Sequence, residues 1–178
     1  MPHIFELAPS ARAKCRGCGL AIAKGELRFG ERLPNPFADG EGVEMTHWFH
    51  LRCAAFRRPE ALLAALPDAP VEIDRKDELV HEAELGVTYR RLPRVGGAER
   101  ASSGRAACRA CKELIPKDSW RIALLFYEEG RFTPSGFIHV ACVPSYIETT
   151  AVMPRIRHFS PDLTDGDAAD IAALLGAN

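Results

Sequence analysis

Six cysteines in this chain can do chemistry, and all six obey one spacing rule. Cys15-x2-Cys18 and Cys108-x2-Cys111 each hold two thiolates on a tight turn, where both can reach a single ion. His50-x2-Cys53 and His139-x2-Cys142 each place an imidazole and a thiolate three residues apart, which on a helix is one face. The result is two Cys3His sets: Cys15, Cys18, His50 and Cys53, then Cys108, Cys111, His139 and Cys142. Soft thiolates with one imidazole favour zinc, and four protein ligands make each site structural rather than catalytic. The expectation is two structural Zn2+ per chain. An iron–sulfur cluster, which usually takes four cysteines, is the second metal reading. Disulfides belong to exported chains, and Met1–Ser10 lacks the basic start and apolar core of a signal peptide.

The elements that must position these ligands are laid out as a repeat. Ser10-Ala11-Arg12-Ala13-Lys14-Cys15-Arg16-Gly17-Cys18 recurs 93 residues later as Ser103-Gly104-Arg105-Ala106-Ala107-Cys108-Arg109-Ala110-Cys111. Ile22-x-Lys24 through Arg28 recurs at the same offset as Ile115-x-Lys117 through Arg121. Two copies of one unit follow, residues 1–85 and 103–178. Residues 86–102 between them read as a flexible linker, since the stretch Arg94–Ser103 is small, polar and Gly-bearing. Within the units, Glu26–Arg32, Met45–Phe49, Ser119–Tyr127 and Phe132–Ile138 read as strands. His50–Arg57, Pro59–Leu66 and His139–Ile147 read as helices, with a further one opened by the Thr164 N-cap. The fold class is small, zinc-stabilised α+β: two repeated zinc-finger units, each a short antiparallel sheet with flanking helices.

Charge and composition narrow the function. The net charge is −1 over 178 residues. It is distributed unevenly: nine basic against five acidic side chains over residues 10–58, and seven against four over 100–142. Positive charge therefore sits with the metal ligands, as nucleic-acid contact requires. No apolar run is long enough to span a bilayer, which points to an intracellular protein, nuclear in a eukaryote and nucleoid-associated in a bacterium. No Gly-rich phosphate loop, Ser/His/Asp order or open metal site speaks for an enzyme.

The S-x-R-A-x-C-x2-C-x3-I-x-K opening, the Arg ten residues after the second Cys, and His47-Trp48-Phe49-His50-x2-Cys53 resemble the zinc fingers of poly(ADP-ribose) polymerases and of a nick-sensing DNA ligase. The gaps of 31 and 27 residues between second and third ligand are close to that family. The resemblance implies recognition of nicks, breaks and ends in DNA, without catalysis, in support of a DNA-repair enzyme. It assigns Arg12 and Arg105 to the backbone or minor groove, and Lys24, Arg28, Lys117 and Arg121 to phosphates. It assigns Phe37 and Met45 of the first unit, and Phe132 of the second, to stacking on exposed bases. The competing reading is a protein-interaction adaptor that keeps the fold but not the DNA contact.

Overall fold

The computed structural model of the chain describes residues 3–35 and 43–177. It forms two compact units, Met1–Thr88 and Tyr89–Asn178. Each unit holds a three-stranded antiparallel sheet in sequence order.

In the first unit the strands are β1 (Ile4–Leu7), β2 (Leu27–Pro34) and β3 (Glu44–His50). β2 and β3 end within a residue or two of the expected strands, as is usual for such boundaries. Three helices follow: α1 (Leu51–Arg57), α2 (Pro59–Ala65) and α3 (Lys76–Thr88). Pro59 occupies the first turn of α2, where its missing N–H costs nothing. α3 packs against α1 and α2. The core is Phe29, Phe49, Phe56, Leu62 and Ala83, all fully buried.

The second unit has β4 (Val95–Arg100), β5 (Trp120–Glu128) and β6 (Arg131–His139). The expected helix from His139 to Ile147 is a 3-10 turn at Val140–Cys142 followed by α4 (Val143–Ile147). α5 (Met153–Phe159) and α6 (Asp165–Gly176) complete it. Thr164 caps α6 as its sequence foretells: its hydroxyl accepts from the Asp167 N–H, and the Asp167 carboxylate accepts from the Thr164 N–H.

The expected linker is overturned. Residues 86–102 contain the end of α3 and the whole of β4, which pairs with β5. The small residues that suggest flexibility are there for packing. A Cβ on Gly97 would lie 2.5 Å from the Ser160 hydroxyl and 3.1 Å from the Phe159 carbonyl oxygen. Ser160 also bonds the Ala98 N–H and carbonyl, tying β4 to the end of α5. The repeat therefore extends upstream: Glu6-Leu7-Ala8 and Glu99-Arg100-Ala101 are equivalent, 93 residues apart.

Candidate metal centres and nucleic-acid interface

In each unit the knuckle carrying Cys-x2-Cys is a hairpin-like loop. Cys15 N–H donates to the Leu20 carbonyl at 2.8 Å, and Cys108 N–H to the Glu113 carbonyl at 2.8 Å. The loop docks on the third strand, where Arg16 N–H donates to the Trp48 carbonyl at 2.9 Å and Arg109 N–H to the Phe137 carbonyl at 2.8 Å. The third strand ends on the ligand histidine, and the following helical turn supplies the last cysteine. All eight expected ligands come together, the ligand atoms of each set lying within 4.8 Å of one another.

The donor set fits zinc. His50 Nδ1 lies 3.4 Å from Cys18 Sγ and 3.8 Å from Cys53 Sγ; His139 Nδ1 lies 3.4 Å and 3.8 Å from Cys111 and Cys142 Sγ. Tetrahedral Zn–S and Zn–N bonds imply edges of about 3.5–3.8 Å. The other imidazole nitrogen, Nε2, donates to the Ala21 carbonyl at 3.3 Å and to the Leu114 carbonyl at 3.2 Å, which fixes the ring with Nδ1 facing the thiolates. The thiols also show that a cation is wanted. Hydrogen bonding within the set, led by Cys15, holds Cys18 far below the ordinary thiol range, while Cys15 and Cys18 push Cys53 far above it. In the second unit burial opposes ionisation of Cys108, but the N–H groups of Cys111, His139 and Ala110 outweigh it and bring it to about 6. Burial, then Cys111 and Cys108, pushes Cys142 to about 12. Thiolates so crowded cannot all ionise without a divalent ion to share.

The residues expected to meet DNA divide into three groups. Arg12, Lys24, Arg105 and Lys117 are exposed. The Lys14–Ala21 bridge and the bond from Ile22 N–H to the Ala13 carbonyl hold the segment carrying Arg12 against that carrying Lys24. The Ala107–Leu114 bridge and the Ile115 to Ala106 bond do the same for Arg105 and Lys117.

Arg28 and Arg121 stand against expectation. They are only 6% and 7% exposed. Arg28 bonds the Glu6 carboxylate and lies 3.6 Å over the Trp48 ring. Arg121 bonds Glu99 at 2.5 Å and lies 3.5 Å over the Phe137 ring. Both guanidinium groups are paired inside the DNA-free protein, so a phosphate contact from either would compete with its carboxylate.

The stacking residues form the third group. Phe37 lies outside the described residues. Met45 is half-buried on β3 opposite Leu33. Phe132 is engaged with Tyr127, ring centroids 4.7 Å apart, on a β5–β6 hairpin turned by Glu129 and Gly130.

Sequence reasoning missed Glu6 and Glu99, the carboxylates that claim the two arginines. Carrying the 93-residue offset upstream of Ser10 finds both. His47 is only 4% exposed. His47 sits opposite Glu31 on β2, and Glu31 is itself buried and chelated by Arg58, with Nε to both carboxylate oxygens at 2.9 Å. Burial first, and then the nearby Arg16, lower the His47 pKa.

Such an arrangement defines a tandem of Cys3His zinc fingers, each metal clamping a knuckle to a three-stranded sheet. Residues 6–88 match the poly(ADP-ribose) polymerase and DNA-ligase Zn-finger region. The first unit belongs to that finger family, and the second repeats its ligand set and sheet. The chain is 29% identical to poly [ADP-ribose] polymerase 1 of Gallus gallus, over 68% of this chain and 13% of that protein. It is 28% identical to poly [ADP-ribose] polymerase of Sarcophaga peregrina, over 98% of this chain and 20% of that one. Against polynucleotide 3'-phosphatase ZDP of Arabidopsis thaliana it is 25% identical, over 100% of this chain and 29% of that protein. The chain thus spans less than a third of the length of these relatives, and the matched finger region is a non-catalytic module. Among the described residues, no helix is long and apolar enough to cross a membrane.

Proposed function

We propose that this chain recognises nicks, breaks or ends in DNA, performs no chemistry of its own, and supports a DNA-repair enzyme from within the cell. The observation that carries the reading is the pair of exposed basic clusters, Arg12 with Lys24 and Arg105 with Lys117, each presented at an equivalent place beside a zinc-clamped knuckle. The relatives' names, which include polymerases of ADP-ribose and a polynucleotide phosphatase, are in keeping with a role at damaged DNA. Phosphate contacts exist on any duplex, so preference for a break must come from groups that need an unstacked base. Phe37 and Met45 of the first unit are the proposed source, and the first unit is the end reader.

With four exposed basic residues gripping phosphates, log affinity falls against log salt with a slope of about −3 to −4. Phe37→Ala loses about 1–3 kcal/mol on nicked or blunt-ended duplex and far less on closed circular DNA. Titration of the three substrates at several salt concentrations checks both. Equal weakening on closed and nicked DNA removes stacking from the mechanism.

One observation favours the adaptor reading. Glu6 and Glu99 neutralise two of the six basic residues expected to grip DNA. Failure to bind any of the three DNA substrates would put that reading first.

A further inference from the structure

The stretch between Glu84 and Glu99 carries three arginines, Arg90, Arg91 and Arg94, and no acid. A flexible linker would disperse such charges in solvent, but here they are held. Leu92 and Val95 are fully buried, and the backbone closes a 3-10 turn over Leu92–Arg94. Leu92 N–H donates to the Tyr89 carbonyl at 2.8 Å, and Arg94 N–H to the Arg91 carbonyl at 3.0 Å. Side chains three apart in a 3-10 turn eclipse, so Arg91 and Arg94 come to one side of it. Each guanidinium lies against an aromatic ring. Arg91 is 4.7 Å from the centroid of Tyr146 on α4, and Arg94 is 5.3 Å from that of Phe126 on β5. Arg91 Nη1 also donates to the Tyr146 carbonyl at 3.1 Å. Phe126 itself is 41% exposed. We propose that this turn, with Phe126 and Tyr146, is a separate nucleic-acid site that takes an unpaired strand of DNA.

Charge and ring chemistry point to the same ligand. Among the described residues no carboxylate pairs with any of the three arginines, whereas Arg100, Arg121 and Arg157 of the same unit each pair with one. Glu128, Glu129 and Glu148 are exposed nearby in sequence but make no ion pair with the patch. Like charges so close repel one another, and a polyanion relieves the repulsion. A duplex presents phosphates but hides its base faces, so it leaves an exposed aromatic ring unused. An unpaired strand presents both, a phosphate to a guanidinium and a base to a ring. A guanidinium lying on a ring keeps its edge donors free for phosphate. The place in the fold separates this patch from the knuckle. It adjoins the Val95 end of β4, while the Lys117 segment joins the other end, where Asp118 N–H donates to the Ala101 carbonyl. Six residues of strand span about 20 Å. The first unit has no such patch at the matching positions. Counting from the shared ligands, Leu33 stands where Phe126 does and Arg57 where Tyr146 does.

The inference rests on the DNA-binding reading above, and the choice of substrates keeps the two apart. Fluorescence anisotropy of the zinc-loaded full chain compares a blunt duplex, the same duplex with a thymidine overhang of about ten nucleotides, and that thymidine strand alone. The overhang raises affinity about tenfold over the blunt duplex. Phe126→Ala removes that gain and leaves the blunt duplex as tightly bound as before. Arg94→Ala also removes it, and flattens the salt slope on the thymidine strand by about 0.7, as one lost phosphate contact does. Should Arg94→Ala fail to fold, Arg90→Ala reads the same charge, since Arg90 is exposed and bonds nothing among the described residues. Arg105→Ala, by contrast, weakens blunt and overhung duplexes alike. An overhang that adds no affinity, or a gain that survives both Phe126→Ala and Arg94→Ala, would overturn the proposal while leaving break recognition standing. Equal weakening of blunt and overhung duplexes by Phe126→Ala would overturn it too, as would tighter binding of a uridine strand than of a thymidine strand, which would give the patch to RNA. Failure to bind any of these substrates would sink this inference together with the DNA reading it rests on.

Discussion

His47 is a buried imidazole with its Nδ1 enclosed, on a strand whose counterpart in the second unit carries Gly136 instead. Burial, and then Arg16, depress its pKa from the ordinary 6.5. The folded first unit thus takes up a proton less readily than the unfolded chain. Its stability is complete above the unfolded value and falls as the pH drops through about 6.5. The second unit has no such residue at that place. Between about pH 7 and pH 5.5, the first unit loses more stability than the second, and His47→Gln removes the difference. Hydrogen exchange resolved by unit checks this. Equal acid sensitivity in both units, or no effect of His47→Gln, would show that proton competition for the zinc ligands accounts for all of it. His50 and the cysteines were legible at this scale because metal ligands declare themselves by spacing. The fate of Arg28 was not, since a sequence shows a cation but not the carboxylate facing it across a strand.

The elements repeat in geometry even where residues change. Gly19 turns the first knuckle with φ +78°, and the equivalent position in the second is Lys112 at φ 71°. A left-handed backbone costs a side chain about 1–3 kcal/mol, partly offset in glycine by unfolded-state entropy of about 0.5–1 kcal/mol. Lys112→Gly therefore stabilises the second unit by about 0.5–1 kcal/mol, less whatever the bond from Lys112 Nζ to the Arg109 carbonyl supplies. At the other end of that unit, Thr164→Ala removes half of a capping box and costs about 1 kcal/mol. Thermal unfolding of the zinc-loaded variants measures both, and a loss of stability in Lys112→Gly would mean that the Nζ bond outweighs the strain. Strands next to the ligands were legible, as was the Thr164 cap. β1, α3, β4 and α5 were not. β1 is four residues long, and the Gly-Gly of β4 imitates a linker because Ala123 of β5 crowds Gly96 while Phe159 and Ser160 crowd Gly97.

Over the whole molecule, metal content is the first measurable quantity. Each unit is under a hundred residues, and zinc coordination contributes on the order of 10 kcal/mol of apparent folding free energy to such a unit. Freshly purified protein holds two equivalents of zinc, Cys142→Ser holds one, and a strong chelator unfolds both units. Atomic absorption with circular dichroism reads all three outcomes. One equivalent in the unaltered protein would remove one tetrad from the metal assignment. The charge pattern also belongs to this scale. Of the six basic residues that the family resemblance assigns to DNA, four stand exposed and two are enclosed, which is why the expected salt slope is shallower than six contacts would give.

The sequence by itself determined the two ligand sets, their metal, the repeat and the family of the first finger. These depend on residue type at short fixed spacing, and a knuckle or a helical turn converts such spacing directly into convergence. Only the tertiary structure decided which arginines are buried against a carboxylate. Glu6 and Arg28 are 22 residues apart in the chain, as are Glu99 and Arg121, and their pairing is made by strand register. Register is fixed by the burial of whole strand faces, a property of the packed sheet that no local spacing reveals.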